Sequence, residues 1–351
     1  MPTANKGRAA GFNTPNRFEQ THLEPIDIDL QYEEEQPPVP TTFYIDSSKS
    51  ILAKNNSPDL PFDYSINPYR GCEHGCIYCY ARPSHEYLGF SAGLDFETKI
   101  MVKLDAPHLL AETLRKKSWQ PQMVAFSGNT DCYQPVERSL QLTRKCLEVF
   151  LDFRNPVGLI TKNALITRDI DILQEMAKLN IVHVMLSITT LDPNVARRME
   201  PRTSTPANRL KAIELLAKAG IPVGVNAAPI IPGLTDEELP AILTAASDHG
   251  AVSAGYILVR LPGAVEPLFL EWVQREFPDR AARILNRIKD TRQGELSDSR
   301  FGKRMSGEGE IARTIKDLFV VHARKHGLNK RWSGLSTEHY RRVHQTQLEM
   351  F

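Results

Sequence analysis

Three cysteines in the first quarter of the chain have the spacing of a metal-cluster site. Cys72, Cys76 and Cys79 follow the pattern Cys-x3-Cys-x2-Cys within NPYRGCEHGCIYCY. Thiolates are soft ligands that suit iron–sulfur clusters, and three of them can hold three irons of a cubane. The fourth iron then has no protein ligand and is open to a small chelating molecule. Gly71 and Gly75 each precede one of these cysteines and allow the backbone to turn tightly.

Two other metal sites are compatible with the same cysteines. A zinc ion could take His74 or Cys132 as its fourth ligand, although zinc knuckles usually pair two Cys-x2–4-Cys arms and no second arm exists here. An electron-transfer cluster would usually have four cysteine ligands. Cys146 lies in a helical pattern and is predicted to pack as a small apolar side chain. A non-catalytic iron–sulfur or zinc protein therefore stays open as an alternative.

The cysteine count and the lack of long apolar runs indicate the cellular compartment of the protein. The chain has 351 residues, a net charge of +1 and five cysteines. An odd number of cysteines, three of them close together, does not resemble a secreted disulfide framework. No run approaches the ~18 apolar residues of a membrane span, and residues 1–10 lack the apolar core of a signal peptide. We therefore expect a cytoplasmic protein that does not contact a membrane.

The elements that must position the cysteines alternate between short apolar runs and segments of helical period. Strands are predicted near 64–69 and over 123–126, Val157–Thr161, 182–188, Val223–Ile230 and 252–261. Helices are predicted over 107–117, 136–153, 167–179, 206–219 and 236–249. The strands are rich in Val and Ile and continuous, as strands buried on both faces are. Alternation of this kind predicts an α/β fold with a parallel sheet, here a partial (β/α)6 TIM-like barrel.

The chain divides into three regions on this basis. Residues 1–60 are rich in proline, polar and charged residues and are predicted to form an amino-terminal tail or wrap, partly disordered. Residues 61–262 form the barrel. Residues 263–351 are predicted to be a helical carboxyl-terminal extension, with helices over 266–289 and 309–326 and a short one near 337–347.

The carboxyl-terminal region carries an excess of positive charge. Residues 280–342 contain 16 Lys and Arg against 7 Asp and Glu, a net charge of +9. A basic segment can bind polyanions, so nucleic acid is a candidate partner, and an exposed Trp332 could stack on bases. The alternative is a pair of amphipathic helices with Lys and Arg on the solvent face.

The cysteine segment resembles a known family. Cys72-x3-Cys76-x2-Cys79, with Tyr78 directly before the last cysteine, is similar to the radical S-adenosylmethionine (SAM) signature. The flanking NPYRGC and YCYAR resemble the branch that contains spore photoproduct lyase and proteins described as DNA repair photolyases. The resemblance covers roughly 61–262. It implies a [4Fe–4S] cluster on the three cysteines, bound SAM and an electron donor of the flavodoxin or ferredoxin type. In such enzymes SAM is cleaved to methionine and a 5′-deoxyadenosyl radical, which removes a hydrogen atom from the substrate.

The resemblance also places SAM at the carboxyl ends of the strands, where the active sites of barrels lie. The turn after the second strand, Gly128, Asn129, Thr130 and Asp131, is expected to face the methionyl group. An ordinary strand-to-helix turn is the alternative. Lys162 ends the third strand and resembles a lysine that contacts SAM, where it would pair with the carboxylate. A solvated loop lysine is the alternative there.

Further contacts are expected with the nucleoside part of SAM. Ser187 and Thr189 alternate with apolar residues at the end of the fourth strand and suit the ribose. Asn226 is a polar residue in a buried type of strand and needs a partner, which adenine, ribose or a neighbouring strand could supply. Tyr78 and Tyr80 are expected to pack on the adenine and the cluster.

One departure from the branch bears on the substrate. Spore photoproduct lyase has a cysteine beside its substrate that returns a hydrogen atom, and the aligned residue here is Gly128. Cys132 lies four residues later and is either a displaced catalytic donor or a buried thiol. We therefore do not expect a true spore photoproduct lyase. Nucleic acid is the first candidate substrate, and a protein or a metabolite is the alternative.

The sequence leaves open the roles of three charged residues and of one segment. Arg260 ends the sixth strand and faces the site by position alone, and 303–309 could cover the mouth of the barrel. Glu200 and Arg202 either contact SAM or substrate or form a surface ion pair.

Overall fold

A computed structural model of the protein describes residues 7–14, 25–26, 39–329 and 334–343. Trp332 lies outside these residues.

The chain contains eleven strands and eleven helices within the described residues. The strands are β1 (Pro25–Ile26), β2 (Thr42–Ile45), β3 (Leu52–Lys54), β4 (Tyr64–Ile66), β5 (Tyr69–Arg70), β6 (Lys99–Val102), β7 (Val124–Phe126), β8 (Val157–Thr161), β9 (Val182–Ser187), β10 (Val223–Ile230) and β11 (Ser253–Leu258). The helices are α1 (Leu94–Thr98), α2 (Ala106–Arg115), α3 (Glu137–Leu140), α4 (Leu142–Phe153), α5 (Ile170–Lys178), α6 (Pro193–Met199), α7 (Pro206–Lys218), α8 (Leu239–Asp248), α9 (Val265–Glu276), α10 (Ala281–Asp290) and α11 (Gly309–Lys325). Short 3-10 segments lie at Arg82–Leu88, Ala164–Asp169 and Asp236–Glu238. None of the described helices is long and apolar enough to span a membrane.

The larger sheet has seven strands in the order β3-β4-β7-β8-β9-β10-β11. Six of its strands are parallel, namely β4, β7, β8, β9, β10 and β11. Strand β3 adds an antiparallel edge. Helices connect successive parallel strands, as crossovers in such a sheet require. No pairing joins β11 to β3 among the described residues, so the sheet stays open. The prediction of a partial (β/α)6 barrel is confirmed.

The core of the barrel explains why its strands are continuous in Val, Ile and Leu. Strand β9 is buried at five of its six positions because helices cover one face and the barrel interior the other. On the helix side, Leu147 and Phe150 of α4 and Leu173 of α5 are fully buried against the sheet. Each such side chain contributes roughly 1.5–3 kcal/mol by leaving water.

A second sheet of four short strands, in the order β1-β2-β6-β5, lies beside the barrel. Strand β5 ends at Arg70, two residues before Cys72, and pairs with β6. This sheet was not predicted because strands of two to four residues carry too little periodicity. It fixes the point at which the cysteine segment begins.

The amino-terminal region differs from the expected tail. Within residues 7–14, Ala9 and Ala10 are buried in the same apolar cluster as Ile77 of the cysteine segment. The Arg8 guanidinium donates to the backbone oxygens of Glu97 and Val39 at 2.8 and 3.1 Å. Residues 7–14 therefore pack against the cysteine segment.

The carboxyl-terminal extension is helical, with two corrections. The helix expected over 266–289 is two helices, α9 and α10, because Pro278 disfavours helical backbone at Phe277. The short helix expected near 337–347 is a turn and coil in its described part, 337–343.

Candidate active site

A cavity of about 470 Å³ opens at the carboxyl ends of the parallel strands. Cys72, Cys76 and Cys79 line it together with residues that follow β7 and β8 or lie within β9 and β10. This is the end at which the active sites of barrel enzymes lie. The cavity therefore brings the three cysteines and the polar strand ends to one place.

The cysteine loop, defined as residues 71–79, packs too tightly for side chains at its two glycines. Gly71 and Gly75 have φ of +78° and +66°. A Cβ on Gly71 would lie 3.0 Å from the backbone oxygen of Phe96, and one on Gly75 would lie 2.7 Å from Glu97 Oε2. The left-handed backbone and the missing space both require glycine at these positions.

Arg82 fixes the cysteine loop from behind. Its fully buried guanidinium donates to the backbone oxygen of Cys76 at 2.9 and 3.0 Å and to that of Gly75 at 3.2 Å. It also contacts Glu97 Oε1 at 2.5 Å, and the same oxygen accepts the backbone N–H of Ala10 at 3.0 Å. The Arg82 guanidinium is thus paired in charge and in hydrogen bonds, as a buried cation requires, although Glu97 Oε2 is buried without a hydrogen-bond partner among the described residues.

The buried thiols suit a metal cluster better than they suit the free state. Cys72 and Cys76 are 6% and 8% exposed. Burial, with smaller contributions from neighbouring acidic groups, raises the pKa of Cys76 and Cys79. Unligated thiolates are therefore unfavourable here, and the positive charge of bound iron would stabilise them. The donor set fits an iron–sulfur cluster on this observation.

His74, one of the two residues considered as a fourth zinc ligand, has other partners. Its Nδ1 lies 3.4 Å from Asp131 Oδ2, and Nε2 lies 3.1 Å from Asn163 Nδ2. Burial favours the neutral ring, but Asp131 and Cys72 raise the pKa of His74 to about 10. Asp131 and Asn163 therefore compete with a metal for the two ring nitrogens. Among the described residues, no three His, Cys, Asp or Glu side chains form a group that could hold a single metal ion.

Cys132, the other candidate ligand and the proposed hydrogen donor, is not at the cavity. Its side chain is completely buried in the barrel core and does not line the cavity wall. Burial raises the pKa of its thiol well above the usual range. The structure corrects the catalytic assignment, because a thiol in the apolar core cannot reach a substrate in the cavity.

The turn after β7 supports the cysteine loop as well as lining the cavity. Gly128, Asn129 and Thr130 all line it. The Thr130 hydroxyl donates to the backbone oxygen of Gly71 at 2.7 Å, and the Tyr80 hydroxyl donates to that of Gly128 at 2.7 Å. The turn and the loop therefore hold each other in place.

Asp131 also lines the cavity, but its oxygens are occupied by protein groups. Oδ1 accepts the Thr161 hydroxyl at 2.7 Å, and Oδ2 accepts the backbone N–H of Lys162 at 2.8 Å. Although burial opposes ionisation, His74 and these hydrogen bonds lower the pKa of Asp131 to about 2. The carboxylate therefore orients Lys162 and His74.

A buried network lies under the Lys162 side of the cavity. Glu200 is completely buried and accepts the hydroxyls of Tyr78 and Thr189 and an N–H of Arg209. The Lys162 ammonium lies 4.0 Å from Glu200 Oε1 and 5.8 Å from the centre of the Tyr78 ring. A surface role for Glu200 is therefore wrong, and its position fixes both Lys162 and Tyr78.

The remaining expected contacts divide into two groups. Ser187 and Asn226 line the cavity, as do Tyr78 and Tyr80. Thr189 does not line it, because its hydroxyl turns towards Glu200 in the layer below.

The geometry can now be compared with known proteins. The model of the radical SAM superfamily matches residues 66–246. This chain belongs to the radical SAM superfamily. It is a radical SAM enzyme, and membership implies a [4Fe–4S] cluster and SAM as its cofactors.

Two curated relatives and one solved structure accompany this radical SAM assignment. An uncharacterised protein of Mycobacterium tuberculosis is 37% identical over 245 residues, which cover 69% of this chain and 72% of the relative. An uncharacterised protein of Methanocaldococcus jannaschii is 30% identical over 175 residues, covering 50% of this chain and 63% of the relative. Spore photoproduct lyase complexed with a dinucleoside spore photoproduct is similar with a TM-score of 0.56 and 15% identity. That similarity covers 81% of this chain and 79% of that chain, and it shows a shared fold.

The sequence did not single out Arg82, Glu97 or Arg209 as residues of the site, and it left the role of Glu200 open. Arg82 and Glu97 hold the cysteine loop, and Glu200 and Arg209 support Lys162 and Tyr78. For Arg82, its place three residues after Cys79 in YCYAR was an indication of a role beside the cysteines. For the others, charge in the sequence gave no indication of complete burial.

Proposed function

We propose that Cys72, Cys76 and Cys79 bind three irons of a [4Fe–4S] cluster and leave the fourth iron to SAM. The supporting observation is that the three thiols, two of them buried and one half-buried, line one cavity, while His74 pairs with Asp131 and Cys132 lies in the core. When bound and reduced, the cluster and SAM together supply a 5′-deoxyadenosyl radical that removes a hydrogen atom from the substrate.

The residues of the chain have complementary roles in this proposal. Lys162 offers a cation to the SAM carboxylate, and its pKa is lowered by burial although Cys76 opposes the shift. Ser187 and Asn226, on neighbouring strands, offer hydrogen bonds to the nucleoside. The Tyr78 ring, fixed by its bond to Glu200, gives these polar groups an apolar surface to pack against.

The electron would come from a flavodoxin or ferredoxin type of donor. The substrate is proposed to be nucleic acid. Exposed Phe301 carries the Arg304 guanidinium 4.5 Å from its ring centre, and Arg304 itself lines the cavity. An aromatic ring beside a cation is the combination that binds single-stranded nucleic acid. Because Gly128 stands where the lyase has a cysteine, the proposed substrate differs from spore photoproduct.

The test of the chemistry is anaerobic reconstitution followed by reduction with dithionite in the presence of SAM. The wild type is expected to release 5′-deoxyadenosine, and Cys79→Ala is expected to lose both cluster iron and product. Cys146→Ala is the matched control, because Cys146 is buried in α4 and does not line the cavity. A wild type that carries the cluster and never cleaves SAM would contradict the proposal.

The test of the substrate class is binding of single-stranded and duplex oligonucleotides across a range of salt concentrations. Phosphate contacts predict a linear loss of log affinity with log salt. Absence of binding at low salt would contradict a nucleic-acid substrate and leave the SAM chemistry intact. With a bound strand, deuterium transfer from labelled substrate into 5′-deoxyadenosine would identify the reacting position.

A further inference from the structure

Arg260 is a half-buried cation for which the described residues provide no hydrogen-bond acceptor. It follows β11 and lines the same cavity as the cysteines. Its guanidinium lies 4.7 Å from the centre of the Tyr80 ring. Within the described part of the chain, it makes no hydrogen bond and no ion pair. Five N–H donors at a cavity wall are therefore left without an acceptor.

The other buried arginines do not share this condition. Arg82 and Arg209 are paired with Glu97 and Glu200. Arg292 has no carboxylate partner, yet it donates to the backbone oxygens of Leu258, Val259 and Lys303. Partial desolvation of a cation is costly unless something compensates it. An unpartnered guanidinium inside a cavity therefore indicates that the acceptor arrives with a ligand.

The position of Arg260 is fixed although its donors are free. A guanidinium over an aromatic ring gains roughly 0.5–2 kcal/mol. Tyr80 is itself fixed by its hydroxyl, which donates to the Gly128 backbone oxygen. The cation is thus oriented before any ligand binds, which lowers the entropy lost on binding.

The surrounding charge favours an anion. Arg304 and Lys54 line the same cavity. Asp59 is the acidic residue that interacts with Arg260, but its oxygens accept Arg304 Nε at 2.6 Å and the Gly302 N–H at 2.7 Å. One carboxylate therefore faces three cations, and the potential at this wall is positive.

The anion is not expected to be the SAM carboxylate. Lys162 follows β8 and Arg260 follows β11, three strands further along the sheet. Strands lie about 4.8 Å apart, so the backbones that carry the two cations are roughly 14 Å apart along the sheet. A carboxylate held at Lys162 would leave Arg260 for a second molecule.

We propose that Arg260 binds an anionic oxygen group of the substrate, a phosphate or a carboxylate. This inference rests on the proposed function, because it assumes that SAM occupies the Lys162 side of the cavity. The planar guanidinium can bind either group through two parallel N–H···O bonds. The site orients the substrate relative to the cysteine loop through Tyr80, which follows Cys79 directly.

The experiment uses the full chain with cluster reconstituted, kept oxidised, and saturated with SAM. Dimethyl phosphate and acetate serve as the phosphate and carboxylate probes, and the neutral trimethyl phosphate and methyl acetate as their controls. Binding is measured by saturation transfer from the protein to the probe methyl protons. We expect the wild type to bind at least one anionic probe, with weaker or no binding of its neutral ester. The preferred anion identifies the group.

The decisive variant is Arg260→Gln, and the matched control is Arg300→Gln. Arg300 is half-exposed, pairs with Asp298 and Glu308, and does not line the cavity. Arg260→Gln is expected to weaken the anionic probe about tenfold, Arg260→Lys to restore part of the affinity, and Arg300→Gln to change it less than twofold. Iron content and melting temperature show that each variant is folded.

Three results would overturn the inference. The first is wild-type protein that binds no probe, or binds charged and neutral probes equally. The second is an Arg260→Gln variant that binds the anionic probe like the wild type. The third is a loss of probe affinity in Arg300→Gln equal to that in Arg260→Gln. SAM affinity is measured in parallel by equilibrium dialysis. A tenfold weaker SAM affinity in Arg260→Gln would assign Arg260 to SAM and also overturn the inference. Failure of the wild type to cleave SAM is a separate result, which concerns the proposed function alone.

Discussion

The two regions on either side of the cysteines differ in whether their arginine has a protein acceptor. Behind the cysteine loop, Arg82 has a carboxylate partner in Glu97 and several backbone acceptors. At the cavity wall, Arg260 has an aromatic ring beneath it and no acceptor among the described residues. A paired buried ion fixes structure, whereas an unpaired one in a cavity is available to a ligand.

The comparison predicts different consequences for stability and for binding. Removing one partner of a buried pair costs about 3–5 kcal/mol, because the other charge is left uncompensated. Removing a cation that has no protein partner costs only its contact with the ring, about 0.5–1 kcal/mol when partly exposed.

The largest effect is expected for Arg82→Met. The variant leaves Glu97 buried without a cation and frees the backbone oxygens of Gly75 and Cys76. We expect a loss of about 3–5 kcal/mol in the free energy of unfolding and poor retention of iron. Urea unfolding and iron analysis measure the two. The double variant Arg82→Met/Glu97→Gln should recover part of the stability. Wild-type iron content in Arg82→Met would contradict the role of Arg82 in fixing the cysteine loop.

A smaller effect, dependent on pH, is expected from His85 in the same region. The ring is fully buried between Phe90 and Phe96, and burial lowers its pKa to about 4. Since the folded pKa lies below the unfolded value of about 6.5, the unfolded state binds the proton more readily. Stability is then fully present above pH 6.5 and falls as the pH drops towards 4, by up to ~3 kcal/mol.

The measurement is urea unfolding between pH 7.5 and 4, on the wild type and on His85→Phe. The variant keeps an aromatic ring in the apolar site and should show a shallower slope over this range. Parallel slopes in the two proteins would show that His85 does not carry the dependence.

A further, smaller effect is expected for Cys132→Ala. The core position predicts a loss of roughly 1–1.5 kcal/mol from a small cavity, with release of 5′-deoxyadenosine unchanged. Thermal unfolding and the product assay test the two parts. If the variant kept wild-type stability and lost turnover with substrate, the thiol would have a chemical role after all.

The smallest effect on stability is expected for Arg260→Gln. We expect a change below ~1 kcal/mol in the free energy of unfolding, because only the contact with Tyr80 is lost. Urea unfolding of Arg260→Gln beside Arg82→Met compares the two regions directly. A loss as large as that of Arg82→Met would mean that the two arginines do not differ as the structure indicates.

Several features of the site were predictable because they are local in the chain. The cysteine spacing indicated the cluster, and the strand runs of Val and Ile indicated the parallel barrel. The strand ends placed Thr130, Lys162, Ser187 and Asn226 at one edge, and all four line the cavity. Periods of two and of 3.6 residues, and ligand spacing, can be recognised within a few residues.

Other features of the site depended on segments distant in the sequence. Ser187 and Thr189 looked alike as hydroxyl residues at the end of one strand, yet Thr189 faces Glu200 and Ser187 faces the cavity. The sequence was compatible with Cys132 as a hydrogen donor and as a core thiol, and only the packing of the helices on the sheet places it in the core. Burial is set by what packs from elsewhere, so the chemical nature of a side chain does not reveal it.

By itself, the sequence determined the spacing of the three cysteines, the alternation of strands and helices, and the sheet edge at which polar residues gather. The tertiary structure decided which charges are paired, since Arg202 contacts Glu73 from 129 residues away and Arg304 contacts Asp59 from 245. The physical reason is that a cation is satisfied by whichever acceptor the fold brings within about 3 Å. Arg82 and Arg260 are the same residue type in the sequence, and only the fold gives one of them an acceptor.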